Sequence, residues 1–128
     1  MTLRAFPVLH AEDVEAVAAF YGRLGFCEHV RLPSPDGRPG YIGLTRDGAE
    51  LAVTHVDSPR VLAGVQPGPG PRGELFVYVD DLDGAVDALR DTATVHREPA
   101  DMPWGERLAF LADPEGNLVS LAQSPASR

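Results

Sequence analysis

A chain of 128 residues, 44% of them hydrophobic, is long enough for one domain or two half-domains sharing a core, and too apolar for disorder. Its formal charge of −8, from 19 acids and 11 bases, argues against a nucleic-acid partner, which wants a basic stripe, and suits the attraction of cations. No apolar run approaches the ~20 residues that span a bilayer, and the N-terminus lacks the order of a secretory signal. One cysteine, Cys27, excludes an internal disulfide and cysteine-rich zinc patterns. The expectation is a cytoplasmic protein with neither membrane nor nucleic acid as partner.

In chain order, residues 3–10 read as a strand. Asp13 then stands as a helix N-cap before Val14, Val17, Ala18, Tyr21 and Leu24, whose spacing is that of an amphipathic helix ended by Gly25. Residues 26–32 form a second strand candidate, and residues 33–40 (PSPDGRPG) a loop. Residues 41–45 and 50–56 make a hairpin across Arg46-Asp47-Gly48-Ala49. Residues 57–73 carry four prolines and four glycines, too many for a regular element, and read as a linker or flap.

After the linker the order returns. Residues 74–80 are a strand, Asp81 a cap, and Leu82, Ala85, Val86 and Leu89 a helix face. Residues 94–98 are a weaker strand. Residues 106–112 and 118–122 form a hairpin around Asp113-Pro114-Glu115-Gly116-Asn117, where Pro114 presets φ and Gly116 accepts a positive one. A shift of 68 residues carries Asp13 onto Asp81, the first four apolar helix positions onto those of the second helix, and Gly48 onto Gly116. The pattern is a two-unit repeat, each unit strand–helix–three strands. The first module spans residues 3–56, the linker 57–73 and the second module 74–123, within a single domain of 1–128. Cys27, at the C-terminal end of the first helix, has no activating base beside it except His29 and reads as buried filler.

The segments AFPVLHAEDVEAVAAFYGRLGF (5–26), ELFVYVDDLDGAVDAL (74–89) and PWGERLAFLADPEGNLVSLAQ (103–123) resemble the glyoxalase/bleomycin-resistance/dioxygenase, or vicinal-oxygen-chelate, superfamily. Within it the chain looks most like the bleomycin-resistance proteins, which bind a drug rather than transform it. The resemblance implies an α+β fold of two βαβββ modules with curved mixed sheets, and a homodimer with the ligand in a groove at its interface.

The superfamily's enzymes hold a divalent metal at four positions, which the resemblance places here at Phe6, Ala52, Glu74 and Ser120. Of these only Glu74 is a hard-metal ligand, whereas such a site needs about three. The expectation is therefore no metal and no other cofactor. Glu74, Phe76 and Tyr78 alternate along one strand and share a face, which suits a flat cationic or heteroaromatic ligand. In the drug-binding relatives the Trp of the PWG motif contacts the drug, and the matching residue is Trp104. The loop at 33–40 lacks the aromatics those relatives carry there. Only Tyr41 follows it, which points to a different or smaller ligand. Arg107 reads as a salt-bridge partner.

Two functions from different classes stand. The first is a metal-free binding protein, not an enzyme, that sequesters a small cationic or aromatic antibiotic of bleomycin type and so confers resistance. Its ligand-binding residues would be Trp104, Phe76, Tyr78, Glu74, Phe6, Tyr41 and Ser120. The second is a metal-dependent lyase or oxidoreductase of glyoxalase or dioxygenase type, with nonstandard ligands such as His10, His55 and Glu74.

Overall fold

The computed structural model describes residues 5–34, 36–64, 68–70 and 73–125. The chain divides into two compact units, Met1–Arg72 and Gly73–Arg128. The first contains β1 (Val8–Ala11), α1 (Val14–Gly22), β2 (Cys27–Pro33), β3 (Pro39–Arg46), β4 (Ala49–His55) and α2 (Ser58–Ala63). The second contains β5 (Glu74–Tyr78), α3 (Leu82–Leu89), β6 (Thr94–Asp101), β7 (Arg107–Ala112) and β8 (Leu118–Gln123).

Each unit is one four-stranded mixed sheet, ordered β1-β4-β3-β2 and β5-β8-β7-β6. In both, the first strand runs parallel to the last and the other pairs are antiparallel. The repeat of 68 residues extends to the register: Val8 lies opposite Ala52 and Phe76 opposite Ser120. The fold is therefore α+β, built of two βαβββ modules.

The helices start where the sequence caps them. Asp13 accepts a hydrogen bond from the Ala16 amide at 3.0 Å, and Asp81 one from the Gly84 amide at 3.2 Å, each satisfying a donor of the first turn. In the first unit Val14, Val17, Ala18, Phe20, Tyr21 and Leu24 are buried, and α1 packs on β3 and β4. Tyr21 meets Phe20 and Phe26 edge-on, with ring centroids 5.1 and 6.1 Å apart. In the second unit α3 buries Leu82, Val86 and Leu89 and packs on β6, β7 and β8. Val77, Ala109, Leu111, Val119 and Leu121 share one face of that sheet by register and are buried. The opposite face is left to carry Glu74, Phe76 and Tyr78.

The two hairpins differ in their turns. Arg46 pairs with Ala49 across Asp47 (φ 47°) and Gly48 (φ 84°), the two positive φ angles of a twisted two-residue turn. The second turn is longer and is built on buried Asp113. One Asp113 oxygen accepts from the Glu115 and Asn117 amides at 2.9 Å, the other from the Asn117 side-chain nitrogen at 3.2 Å. Gly116 takes φ 85°.

Three sequence expectations change. The strand expected at 3–10 runs over Val8–Ala11, and residues 3 and 4 lie outside the described residues. The 57–73 segment contains a regular element after all, the helix α2. Its proline falls in the first turn, where no amide bond is lost, and Gly64 closes it at φ 70°. Residues 65–67 and 71–72 of that segment lie outside the described residues. Cys27 is exposed, not buried, because it opens β2 on the sheet's edge. No helix among the described residues is long and apolar enough to cross a membrane.

Because one carboxylate holds three donors of the second turn, Asp113→Ala should cost about 2–3 kcal/mol of stability. Denaturant unfolding checks this: a lowered midpoint with an unchanged slope is expected.

Candidate functional site

The open face of the second unit brings together most of the residues singled out from the sequence. Phe76, Tyr78 and Trp104 are 47%, 50% and 64% exposed, high values for aromatic side chains. Alternation along β5 places Glu74, Phe76 and Tyr78 on one side of the sheet. The Phe76 and Tyr78 rings lie tilted with centroids 5.4 Å apart. Beyond them, the buried cluster of Met102, Leu108 and Ala122, with Ala100 and Phe110 packed against it, forms an apolar floor.

Glu106 ties the aromatics together. Trp104 Nε1 donates to Glu106 Oε1 at 2.9 Å, and the Tyr78 hydroxyl donates to Glu106 Oε2 at 2.5 Å. The backbone fixes this corner, since the Met102 amide bonds the Glu106 carbonyl at 2.8 Å and Gly105 turns at φ 100°. Sequence reasoning placed Glu106 only as the start of a strand. Its meeting with Trp104 depends on the turn at Gly105, whose positive φ brings the two side chains together.

At the other end of β5, Ser120 Oγ donates to Glu74 Oε1 at 2.9 Å. Ser120 is fully buried, so its hydroxyl acts through Glu74, which is exposed. Arg107 is held by Asp83 at 3.1 Å and Asp101 at 3.4 Å, the structural role the sequence gave it.

Phe6 and Tyr41 belong to the first unit, and both are half-buried. Tyr41 lines a concavity of about 970 Å³ between the start of α1, the β2–β3 tip and α2, with Leu32, His55, Val61 and Leu62 among its other walls. This cleft was not legible from the sequence, because its walls come from three separated segments.

The four metal positions can be tested on their chemistry. Phe6 and Ala52 offer hydrocarbon only, Ala52 is fully buried, and Ser120 offers only a buried neutral hydroxyl that donates to Glu74. His10 and His55, the nonstandard candidates, project from opposite faces of the first sheet. His10 lies opposite Thr54, and His55 follows it in β4. Among the described residues no three His, Cys, Asp or Glu side chains come together to hold a cation. The donor set does not fit a divalent metal.

Two βαβββ units, one with an exposed aromatic face flanked by carboxylates, define the class. The chain belongs to the glyoxalase/bleomycin resistance protein/dioxygenase superfamily, whose family model matches residues 6–121. It is 30% identical to an uncharacterised protein of Mycobacterium bovis over 123 residues, 91% of this chain and 80% of that one. It is 28% identical over 135 residues to a bleomycin resistance protein of Klebsiella pneumoniae, covering 97% and 94% of the two chains. A bleomycin-binding protein solved with bleomycin superposes at a TM-score of 0.62 and 26% identity, over 96% and 99% of the two chains.

The bond to Glu106 raises the Tyr78 pKa above the ordinary 10.0, with desolvation and the carboxylate's charge adding to it. The neutral phenol is the favoured form. The bond's contribution is thus full below pH 10 and lost as pH rises through the higher folded value. Tyrosinate absorbance, with Tyr78→Phe as reference, should show Tyr78 ionising late in the native protein and earlier in Glu106→Gln.

Proposed function

We propose that the protein binds and sequesters a small, flat, cationic molecule on the open face of the second unit, without chemical change to it. The observation that carries this reading is the exposure of Phe76, Tyr78 and Trp104 beside Glu74 and Glu106. Aromatic faces stack on planar rings and attract cations, and a carboxylate nearby adds a fixed charge. An acidic protein with net charge −8 also draws such a ligand in by its field.

The ligand class we favour is an antibiotic of bleomycin type, with resistance by sequestration in the cytoplasm as the biological outcome. The likeness to the Klebsiella pneumoniae bleomycin resistance protein and to the bleomycin-bound structure supports that choice. The ligand groove is completed by a second copy of the chain, as the family resemblance implies. Ser120 contributes by orienting Glu74 rather than by touching the ligand.

The single tryptophan reports on the site directly. Chelator-treated protein titrated with bleomycin and other cationic aromatic antibiotics should show a saturable change in Trp104 fluorescence near one ligand per chain. Trp104→Ala, followed by calorimetry, should weaken binding by roughly 1–3 kcal/mol. Affinity arising only after addition of Fe, Mn, Ni or Zn would replace this reading with the enzymatic one.

A further inference from the structure

Four acids of the second unit are matched to arginines. Asp83 and Asp101 hold Arg107, and Asp87 and Glu98 hold Arg90. Glu74 and Glu106 are different. Glu106 accepts from a tryptophan and a tyrosine, and Glu74 from a serine, so every side-chain donor to them is neutral. Among the described residues neither has a cationic partner. Neutral donors fix a carboxylate in place but leave its charge, and each oxygen keeps a lone pair for another donor.

Their placement is linear. Glu74 and Tyr78 stand four residues apart on one face of β5, a rise of roughly 13 Å along the strand. Glu106 sits at the Tyr78 hydroxyl, and the Phe76 and Tyr78 rings lie in the interval. The strip thus reads carboxylate, ring, ring, carboxylate, with the Trp104 ring beside the last.

We propose that this strip reads two positive charges on one ligand, Glu74 taking one cationic group and Glu106 the other, while the planar body between them lies on Phe76 and Tyr78. The inference rests on the binding function above and narrows its ligand class to an elongated, flat dication. Exposed charge pairs are weak singly and are screened by salt. A rigid molecule that carries both cations makes the second contact without a second loss of freedom, which is where selectivity arises.

Diamidinophenylindole, a fluorescent flat dication, and its analogue with one amidine replaced by a carboxamide test this on the full-length chain. The wild-type protein should bind the dication about tenfold more tightly than the monocation at low salt, a preference that shrinks as salt rises. Glu74→Gln and Glu106→Gln should each remove most of that preference. Glu98→Gln, which removes one negative charge at an ion-paired site, should leave it intact. Gln keeps an acceptor for the Ser120 or Trp104 donor, and thermal unfolding verifies that each variant is folded. Equal affinity for both probes, or a preference that survives both substitutions, would overturn the two-charge reading. The binding reading would then still stand if Trp104→Ala weakened both probes alike. Failure of both probes to bind at all would overturn both readings.

Discussion

The parallel pairing of the first strand of each module with its last is the constraint on which the rest depends. In the second unit it seats Phe76 opposite Ser120 and brings the Glu74 carboxylate within 2.9 Å of the Ser120 hydroxyl. A parallel pair needs a long crossover, which α3 and the β6–β7–β8 meander supply. The helix buries its apolar stripe on β6, β7 and β8. The other face is then free to hold side chains that would be costly in a core. Exposed Phe76 and Tyr78 follow from that division of faces rather than from local propensity.

Electrostatics sort the acids by the same logic. Asp83 and Glu98 are tied to Arg107 and Arg90, where they join helix to sheet. Those on the aromatic face are positioned by neutral hydroxyl and indole donors, and their charge remains available. At the four positions that the resemblance assigns to metal ligands, this chain has two hydrocarbon side chains, a hydroxyl and one carboxylate. The carboxylate among them, Glu74, accepts from the Ser120 hydroxyl and shares a strand face with the Phe76 and Tyr78 rings.

Much of the fold was legible because its signals are local and repeated. Asp13 and Asp81 announce α1 and α3, the apolar spacing after each predicts the buried face, and the shift of 68 residues relates the modules. Where the sequence misled, composition stood in for position. Prolines and glycines at 57–73 argued against a helix, yet Pro59 in a first turn and Gly64 at a C-cap are both compatible with one. Cys27 is exposed because β2 is an edge strand, a placement that its neighbours in sequence do not encode. For the site, alternation along β5 located Glu74, Phe76 and Tyr78. The partnership of Glu106 with Tyr78, 28 residues away, depends on tertiary pairing that spacing does not encode.

The most direct test of the account is the footprint of bound ligand on the backbone and indole amide resonances of isotopically labelled protein. With bleomycin or diamidinophenylindole as titrant, the account predicts shifts at Phe76, Tyr78, Glu106 and the Trp104 indole N–H. Shifts confined to Tyr41, Val61 and Leu62, which line the cleft of the first unit, would contradict it.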